Sequence, residues 1–325
     1  MSTEIAPARV AEHMETITAA ISDEIILEDA FLDTVMTAIL ADGHVLLEDV
    51  PGTGKTITAA SIADAMGLSF SRIQFTPDLL PADITGSNVY NEREGTFEFR
   101  KGPVFANILL ADEINRAPPK TQSALLEAMQ ERQVSVDGTT YDLPEPFFVI
   151  ATQNPVEQEG TFELPEAQLD RFLIKSAIGY PDRDGERELL GRRLDRTRSA
   201  PSVTQAIDRD TASALRTAPE AVTVDDDLVD YVVDICRGTR TDSRVETGVS
   251  PRGTQRLLEA ARAAAAYRGR DYLVPDDVKR MATPTLAHRL VLSTEARVER
   301  VDTGDIVETV VDSIAVPRDT GPVEP

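Results

Sequence analysis

A chain of 325 residues is long enough for about two domains, and its 41% hydrophobic and 27% charged residues are ordinary for a globular protein. It has no apolar run close to the roughly 20 residues of a membrane-spanning helix and no secretory signal pattern, so we expect a cytoplasmic protein without a transmembrane segment. The net charge of −23 disfavours nucleic-acid binding, and the scarcity of lysine (5, beside 28 arginines) suggests adaptation to high salt.

The first predicted elements are helices at residues 10–21 and 30–40, followed by a short apolar strand at 44–48. The loop Asp49-Val-Pro-Gly-Thr-Gly-Lys-Thr56 comes next, and a helical pattern then covers residues 56–66. A strand, a glycine-containing loop, Lys-Thr and a helix form the context of a phosphate-binding loop. We therefore expect the phosphates of a nucleotide to bind at Pro51, Gly52, Thr53, Gly54, Lys55 and Thr56.

The chemistry of this loop follows from its residue types. Gly52 and Gly54 carry no side chain, so their backbone can close around phosphate oxygens, and the start of the helix adds inward N–H groups. Lys55 would reach the β- and γ-phosphates, and the Thr56 hydroxyl would bind Mg²⁺. The general pattern has glycine where this chain has Asp49, so an ordinary turn before a helix is the alternative.

Strands and helices alternate as far as residue 180. Strands are predicted at 69–75, 106–113, 147–152 and 173–178, helices at about 120–132 and 165–171, and hairpin-like segments at 88–100 and 133–143. This alternation predicts a parallel α/β sheet.

Beyond Pro181 the pattern changes to recurring helices, at 183–196, 208–217, 226–237, 252–267 and 275–290. We therefore divide the chain into a nucleotide-binding αβα domain, residues 1–180, and a helical domain, residues 181–325. The single cysteine, Cys236, falls in one of these helices. It excludes an internal disulfide or a cysteine metal cluster, and we expect a buried core thiol.

Polar residues at the ends of two predicted strands complete a candidate site. Asp112 and Glu113 close a continuous apolar strand, at the sheet edge where open α/β folds bind ligands. Asp112 would hold Mg²⁺ and Glu113 would orient and deprotonate an attacking water. Asn154 ends the next apolar strand and could hydrogen-bond the γ-phosphate or the water. Solvated strand-end acids and an Asn-Pro turn are the alternatives.

Two arginines could stabilise charge on the γ-phosphate. Arg171 lies between a short helix and a strand, and could project from a subunit edge into a neighbour's site. A surface arginine paired with Asp170 or Glu166 is the alternative. Arg252 follows Ser250-Pro251, which fit the cap and first turn of a helix, and a solvated helix-end arginine is its alternative.

The order of these motifs resembles the MoxR family of AAA+ ATPases over residues 8–310. The stretches that carry the likeness are Val-Pro-Gly-Thr-Gly-Lys-Thr, Leu-Leu-Ala-Asp-Glu-Ile-Asn-Arg-Ala-Pro-Pro-Lys-Thr-Gln-Ser-Ala-Leu-Leu-Glu-Ala-Met-Gln-Glu, Ala-Thr-Gln-Asn-Pro, Leu-Pro-Glu-Ala-Gln-Leu-Asp-Arg-Phe and Ser-Pro-Arg-Gly.

The resemblance implies a fold and a role for each candidate residue. The fold would be a P-loop αβα domain with a parallel five-stranded sheet, followed by a smaller helical lid and assembled as a ring, often a hexamer. The implied roles are Walker A for Lys55 and Thr56, Walker B for Asp112 and Glu113, sensor 1 for Asn154, arginine finger for Arg171 and sensor 2 for Arg252. Whether Arg252 serves its own nucleotide or a neighbour's stays open.

The resemblance also implies a function. Such a protein would hydrolyse ATP with Mg²⁺ to remodel or mature a partner or to insert its cofactor, with a von Willebrand factor A domain protein as the partner. A magnesium-chelatase-like subunit and a DNA-translocating motor are alternatives, although residues 133–143 offer a DNA motor no lysine or arginine. A nucleotide-switched scaffold is a fourth possibility, which the intact acids argue against.

Overall fold

The alternating pattern of the first half produces a layered α/β domain. The protein is described by a computed structural model that covers residues 5–154, 161–162, 164–195 and 203–317. Its elements up to residue 176 are α1 (Pro7–Ser22), α2 (Asp29–Leu40), β1 (His44–Glu48), α3 (Lys55–Ala65), β2 (Phe70–Gln74), α4 (Pro81–Thr85), β3 (Gly86–Asn91), β4 (Thr96–Lys101), β5 (Ile108–Asp112), α5 (Pro119–Glu131), β6 (Gln133–Val136), β7 (Thr139–Asp142), β8 (Phe148–Gln153), α6 (Glu166–Leu169) and β9 (Phe172–Ser176).

Five of these strands form one parallel sheet in the order β2-β5-β8-β1-β9. All five residues of β5 are buried, as its continuous apolar sequence predicts for a strand covered on both faces. Because the strands are parallel, β1, β5 and β8 end at the same edge, which we call the carboxyl edge. The start of β9 pairs with the start of β1, Phe172 beside His44, so the residue before it lies at the opposite, amino edge.

Two antiparallel hairpins extend from this sheet, β3–β4 and β6–β7. They contact each other through a stacked pair of rings, Phe99 and Tyr141, whose centroids are 4.0 Å apart, and through a 2.7 Å hydrogen bond from Asn88 to Asp137. The sequence predicted the first as a short β-excursion around Gly95 and the second as a hairpin, whose turn lies at Asp137 and Gly138 as expected.

The rest of the chain is mainly helical, as predicted. Its elements are α7 (Arg183–Asp195), α8 (Arg209–Leu215), α9 (Asp226–Thr241), β10 (Val245–Thr247), α10 (Pro251–Tyr267), α11 (Pro275–Leu286), β11 (Val291–Leu292), α12 (Thr294–Glu299) and α13 (Thr303–Ser313). The structure adds a small antiparallel pair, β10–β11, and the helices α12 and α13, which the sequence pattern does not reveal. Cys236 is buried in α9, as expected.

One apolar core joins the two halves of the chain. Buried residues of α1 and α2 belong to the same cluster as the buried face of α10, including Met14, Met36 and Leu257. The helices before the sheet therefore pack against the helical part as well as against the sheet, and the boundary at residue 181 stays a prediction. No helix among the described residues is long and apolar enough to cross a membrane.

Candidate functional site

The phosphate-binding loop joins β1 to α3 at the carboxyl edge. Gly52 and Gly54 have φ angles of 93° and 92°, a backbone conformation that only glycine adopts without strain. Gly54 precedes the first turn of α3, so the free N–H groups of that turn open into the loop. The Lys55 ammonium group donates to the backbone carbonyls of Asp49 and Val50, at 2.9 and 3.0 Å, and lies across the mouth of the loop.

Asp49, the departure from the general loop pattern, has a defined role in the fold. Its side chain is buried and accepts hydrogen bonds from the backbone N–H groups of Ile178, at 2.5 Å, and Gly179, at 3.2 Å. Those residues follow β9. The carboxylate therefore fixes the start of the phosphate-binding loop to the neighbouring end of the sheet, a contact that glycine could not make.

The two acids are held next to the loop by a residue that the sequence analysis did not single out. The fully buried Thr152 hydroxyl donates to Asp112 Oδ1 at 2.7 Å and accepts from the backbone N–H of Glu113 at 2.8 Å. Thr152 is in β8, the strand between β5 and β1. Asn154 follows the same strand and is buried, so the structure brings it to the same edge as the acids.

Both acids have polar partners in this structure. The second carboxylate oxygen of Asp112 accepts from Arg72 at 2.7 Å. Glu113 has a left-handed backbone, with φ 57° and ψ 51°, and its carboxylate accepts from Gln74 at 2.7 Å and Arg116 at 2.9 Å. Gln74 and Arg72 lie in β2, the edge strand beside β5. The carboxylate of Glu113 is thus engaged by protein groups.

The acid and hydroxyl oxygens also fit a magnesium ion. The Thr56 hydroxyl in the first turn of α3 and the Asp112 carboxylate are hard oxygen donors, which Mg²⁺ prefers. Across the described ranges, no group of three or more His, Cys, Asp or Glu side chains could hold a metal ion on its own. Substrate phosphates and water would have to complete the coordination, which is the usual situation for Mg²⁺ at nucleotides.

An apolar cavity of about 520 Å³ adjoins the phosphate-binding loop. It lies between the segment that connects α1 to α2, the loop itself, the segment after β9, and α7. Residues from each of these contribute, among them Ile25, Leu27, Gly52, Ile57, Tyr180 and Leu189. Its position and apolar lining suit the planar base of a nucleotide whose phosphates occupy the loop. The sequence analysis did not predict this cavity.

The two candidate arginines lie elsewhere, at the amino edge. Arg171 immediately precedes β9, and Arg252 is in the first turn of α10; both line a second cavity of about 360 Å³. Arg252 makes an ion pair with Asp170 at 3.5 Å. Within the described residues, no hydrogen bond or ion pair joins the Arg171 side chain to another side chain. The neighbouring carboxylate of Asp170 faces Arg252 and Arg289 instead.

Further charges surround the arginine pair in this cavity. Its lining also contains Arg132, Arg216, Arg256 and Arg262, together with Asp42, Glu220 and Glu259. Arg256 is paired with Glu259 at 2.7 Å and Arg262 with Glu220 at 3.0 Å. The structure therefore groups Lys55, Thr56, Asp112, Glu113 and Asn154 at one edge of the sheet and places Arg171 and Arg252 at the other.

Comparison with known proteins finds likenesses for both the sheet-containing and the helical part of the chain. A family model described as the ATPase family associated with various cellular activities (AAA) matches residues 44–174, and a model of the AAA lid domain matches residues 237–310. A crystal structure of a provisionally assigned ATPase from Cytophaga hutchinsonii superimposes with a TM-score of 0.89 and 38% identity, over 96% of this chain and 97% of that one.

Two relatives match nearly the whole chain. The protein YeaC of Bacillus subtilis, whose function is uncharacterised, is 46% identical over 95% of this chain and 94% of its own length. The chaperone MoxR1 of Mycobacterium tuberculosis is 43% identical over 90% of this chain and 80% of its own. Together with the AAA model and the parallel five-stranded sheet, these likenesses show that the chain belongs to the MoxR family of AAA+ ATPases.

Proposed function

We propose that this protein hydrolyses ATP at sites shared between neighbouring copies in a ring and uses the energy to remodel a partner protein. The observation that supports this most is the separation of the site residues. The phosphate-binding loop and the two acids lie at the carboxyl edge of the sheet, whereas Arg171 and Arg252 line a cavity at the amino edge. Within one copy these two groups of residues therefore lie at opposite edges of the sheet.

Binding would use groups that are already in place. The triphosphate would lie along the phosphate-binding loop, where the first N–H groups of α3 point at it and Lys55 can turn from the carbonyls of Asp49 and Val50 to the β- and γ-phosphates. The base would enter the apolar cavity beside Ile57 and Tyr180. Thr56 and Asp112 would hold Mg²⁺, which when bound neutralises charge on the phosphates.

Hydrolysis would depend on Glu113 and Asn154. As a carboxylate, Glu113 can accept the proton of a water that attacks the γ-phosphate, and Asn154 can orient that water or the phosphate without adding negative charge. In the structure the Glu113 carboxylate accepts hydrogen bonds from Gln74 and Arg116. It would have to leave at least one of them, so these contacts would keep hydrolysis slow until a complete site forms.

Arg171 and Arg252 would complete the site of the next copy. Their guanidinium groups would approach the γ-phosphate from the neighbour and stabilise the charge that develops there, an effect of about 10³- to 10⁵-fold in other nucleotide hydrolases. We infer from this arrangement that Arg252, like Arg171, acts on a neighbour's nucleotide. Such action requires a head-to-tail interface, which forms a ring when the rotation between copies closes, and we propose a hexamer.

The partner would be another protein. MoxR1, a relative at 43% identity, is named a chaperone. We propose a cytoplasmic chaperone that matures a protein with a von Willebrand factor A domain or inserts its cofactor. The β3–β4 hairpin carries two exposed aromatic residues, Tyr90 and Phe97, that could contact such a partner. Nucleic acid is not expected as a partner, because the chain carries a net charge of −23.

The test is phosphate release from ATP in molar KCl by wild type, Glu113→Gln, Arg171→Ala and an equimolar mixture of the two variants. Each variant alone should be nearly inactive, and the mixture should regain activity, because a copy with an intact Glu113 site meets a neighbour with an intact Arg171. Arg297→Gln, which changes an exposed arginine, is the matched control. A mixture as inactive as its components would contradict the shared site.

A further inference from the structure

One buried arginine joins the segment that carries Arg171 to the helical part of the chain. Arg289, which follows α11, has a side chain that is only 3% exposed. Its guanidinium group donates to Asp170 Oδ1 at 2.8 Å and to the backbone carbonyls of Asp170 and Phe172, at 3.2 and 2.7 Å. These acceptors lie immediately on either side of Arg171.

The same guanidinium group also contacts α11 and the next residue of the strand. It donates to the carbonyl of Leu173 at 3.2 Å and to the carbonyl of Thr285 in α11. A planar fork with five donors can bind several acceptors at fixed angles, which an ammonium group cannot do. Arg289 therefore holds the backbone of residues 170–173 against the end of α11.

The surrounding sequence makes room for this contact. A β-carbon at Gly253, in the first turn of α10, would lie 3.1 Å from Arg289 Cδ and 2.6 Å from a methyl group of Val249. Gly253 directly follows Arg252, so the turn that presents Arg252 also admits the Arg289 side chain. Asp170 joins both arginines, since it accepts from Arg289 and faces Arg252 at 3.5 Å.

We propose that Arg289 is a positioning residue, which fixes Arg171 at the amino edge so that the placement of α10 and α11 controls how well Arg171 reaches the neighbouring copy's ATP. This rests on the proposed shared site. A guanidinium group that reaches into another subunit contributes to hydrolysis only at the correct distance, and a displacement of about 1 Å can cost roughly a hundredfold in rate. Arg289 would act through Arg171 and would not touch the nucleotide.

The first experiment measures ATP hydrolysis by Arg289→Gln. We expect a rate at saturating ATP that is about tenfold to a hundredfold lower, with a half-saturating ATP concentration within about twofold of wild type, because its own phosphate-binding loop is unchanged. The matched control is Arg297→Gln in the same helical part, where the arginine is 58% exposed and pairs with Glu246. It should hydrolyse ATP at the wild-type rate.

Mixtures then show which half of the site is damaged. Arg289→Gln mixed with Glu113→Gln should regain activity, because the Glu113→Gln copies supply an intact Arg171 to the intact ATP site of the other variant. Arg289→Gln mixed with Arg171→Ala should regain none, since both changes affect the same half. Recovery in the second mixture, recovery in neither, or a wild-type rate for Arg289→Gln alone would overturn the proposal.

Two further comparisons keep the outcome decisive. Arg289→Lys retains the charge beside Asp170 but not the fork, so it should fold even if Arg289→Gln does not. It should give the same pattern of activity in the mixtures. A wild-type rate of hydrolysis for Arg289→Lys would overturn the proposal. The mixture of Glu113→Gln with Arg171→Ala is run alongside. If that mixture stays inactive, the shared site itself is wrong; if it recovers and the Arg289 mixtures do not follow the pattern, only the role of Arg289 is wrong.

Discussion

Asp49 shows how a single residue can replace a feature of a general motif. Its buried carboxylate accepts two backbone N–H groups from the segment after β9, so the first position of the phosphate-binding loop is fixed by hydrogen bonds instead of by a glycine turn. A charged acceptor that receives buried N–H groups makes stronger hydrogen bonds than a neutral one. The residue that departs from the motif is therefore a structural part of the loop.

Replacing Asp49 by glycine should destabilise the protein, although it restores the general motif. The N–H groups of Ile178 and Gly179 would lose their acceptor, at a cost of about 1–3 kcal/mol in the free energy of unfolding. Urea unfolding measures this loss. Asp49→Asn keeps one acceptor oxygen and a similar shape, and should lose less. Equal stability of Asp49→Gly and wild type would contradict the role assigned to the carboxylate.

Thr152 offers a second prediction for a single residue. Thr152→Val keeps the volume of the buried side chain but removes the hydroxyl that binds Asp112 and the N–H of Glu113. Both acids should lose their orientation, and the rate of ATP hydrolysis should fall about tenfold, equivalent to roughly 1.4 kcal/mol. Thr152→Ser retains the hydroxyl and should stay close to wild type. A valine variant as active as the serine variant would show that Thr152 does not orient the acids.

The sequence predicted the positions of the candidate site residues better than it predicted the residues that hydrogen-bond to them. Lys55, Thr56, Asp112, Glu113 and Asn154 each stand at the end of a recognisable strand or the start of a helix, so their common edge followed from the parallel sheet. Their partners Arg72, Gln74 and Thr152 are about 40 positions from the acids along the chain. No local pattern connects such distant positions, and only the order of the strands brings them together.

At the scale of elements, His44 connects three parts of the fold. It begins β1, its Nε2 lies 3.2 Å from the carbonyl of Met129 in α5, and its Nδ1 accepts from the N–H of Val149 in β8 at 3.1 Å. Only the neutral imidazole can accept at Nδ1 while donating at Nε2. Burial lowers the pKa of His44 from 6.5 to about 4.

This lowered pKa predicts how stability depends on pH. The unfolded chain takes up a proton at His44 near its ordinary pKa of about 6.5, whereas the folded protein resists it until about pH 4. The contribution of neutral His44 to the free energy of unfolding is therefore fully present above pH 6.5. It is lost as the pH falls from 6.5 to about 4, by about 3 kcal/mol in all. Urea unfolding between about pH 7.5 and pH 5 should show the loss.

A variant identifies the residue responsible. His44→Gln can keep a donor and an acceptor but does not titrate, so the fall in stability below about pH 6.5 should become shallower. It should not vanish, because burial and the adjacent Arg289 lower the pKa of His288 well below 6.5 in the same direction. An unchanged slope in His44→Gln would contradict the contribution of His44.

Strands with a continuous apolar run and helices with a clear period were predicted within a few residues, as β5 and α10 illustrate. The pair β10–β11 was not, since it involves only three and two residues and is defined by contacts between distant segments. The apolar cavity beside the phosphate-binding loop was also missed. Its walls come from four separate parts of the chain, and no local pattern indicates that these parts meet.

The whole molecule has an acidic surface and two dissimilar edges. A net charge of −23 on 325 residues implies repulsion between like charges in the folded state. The carboxyl edge offers a phosphate-binding loop and the amino edge offers arginines, so the head-to-tail assembly proposed above would bring unlike edges together. The repulsion between like charges acts within each chain, so we expect salt to change the stability of a single chain by screening its overall charge.

We expect the melting temperature to be higher in molar KCl than in low salt, because the Debye length shrinks from about 10 Å at 0.1 M to about 3 Å at 1 M and weakens the repulsion. Thermal unfolding followed by circular dichroism measures this. A variant series in which exposed acids are changed to their amides should need less salt. Greater stability at low salt would contradict the expected adaptation.

Cys236 has a consequence for how motion in this molecule can be observed. It is the only cysteine of the chain, it is fully buried in α9, and burial raises the pKa of its thiol. A thiol-reactive dye can therefore modify it only when the core around α9 opens. The natural protein thus contains a single-site reporter, and its labelling rate measures how often the helical part opens before, during and after nucleotide turnover.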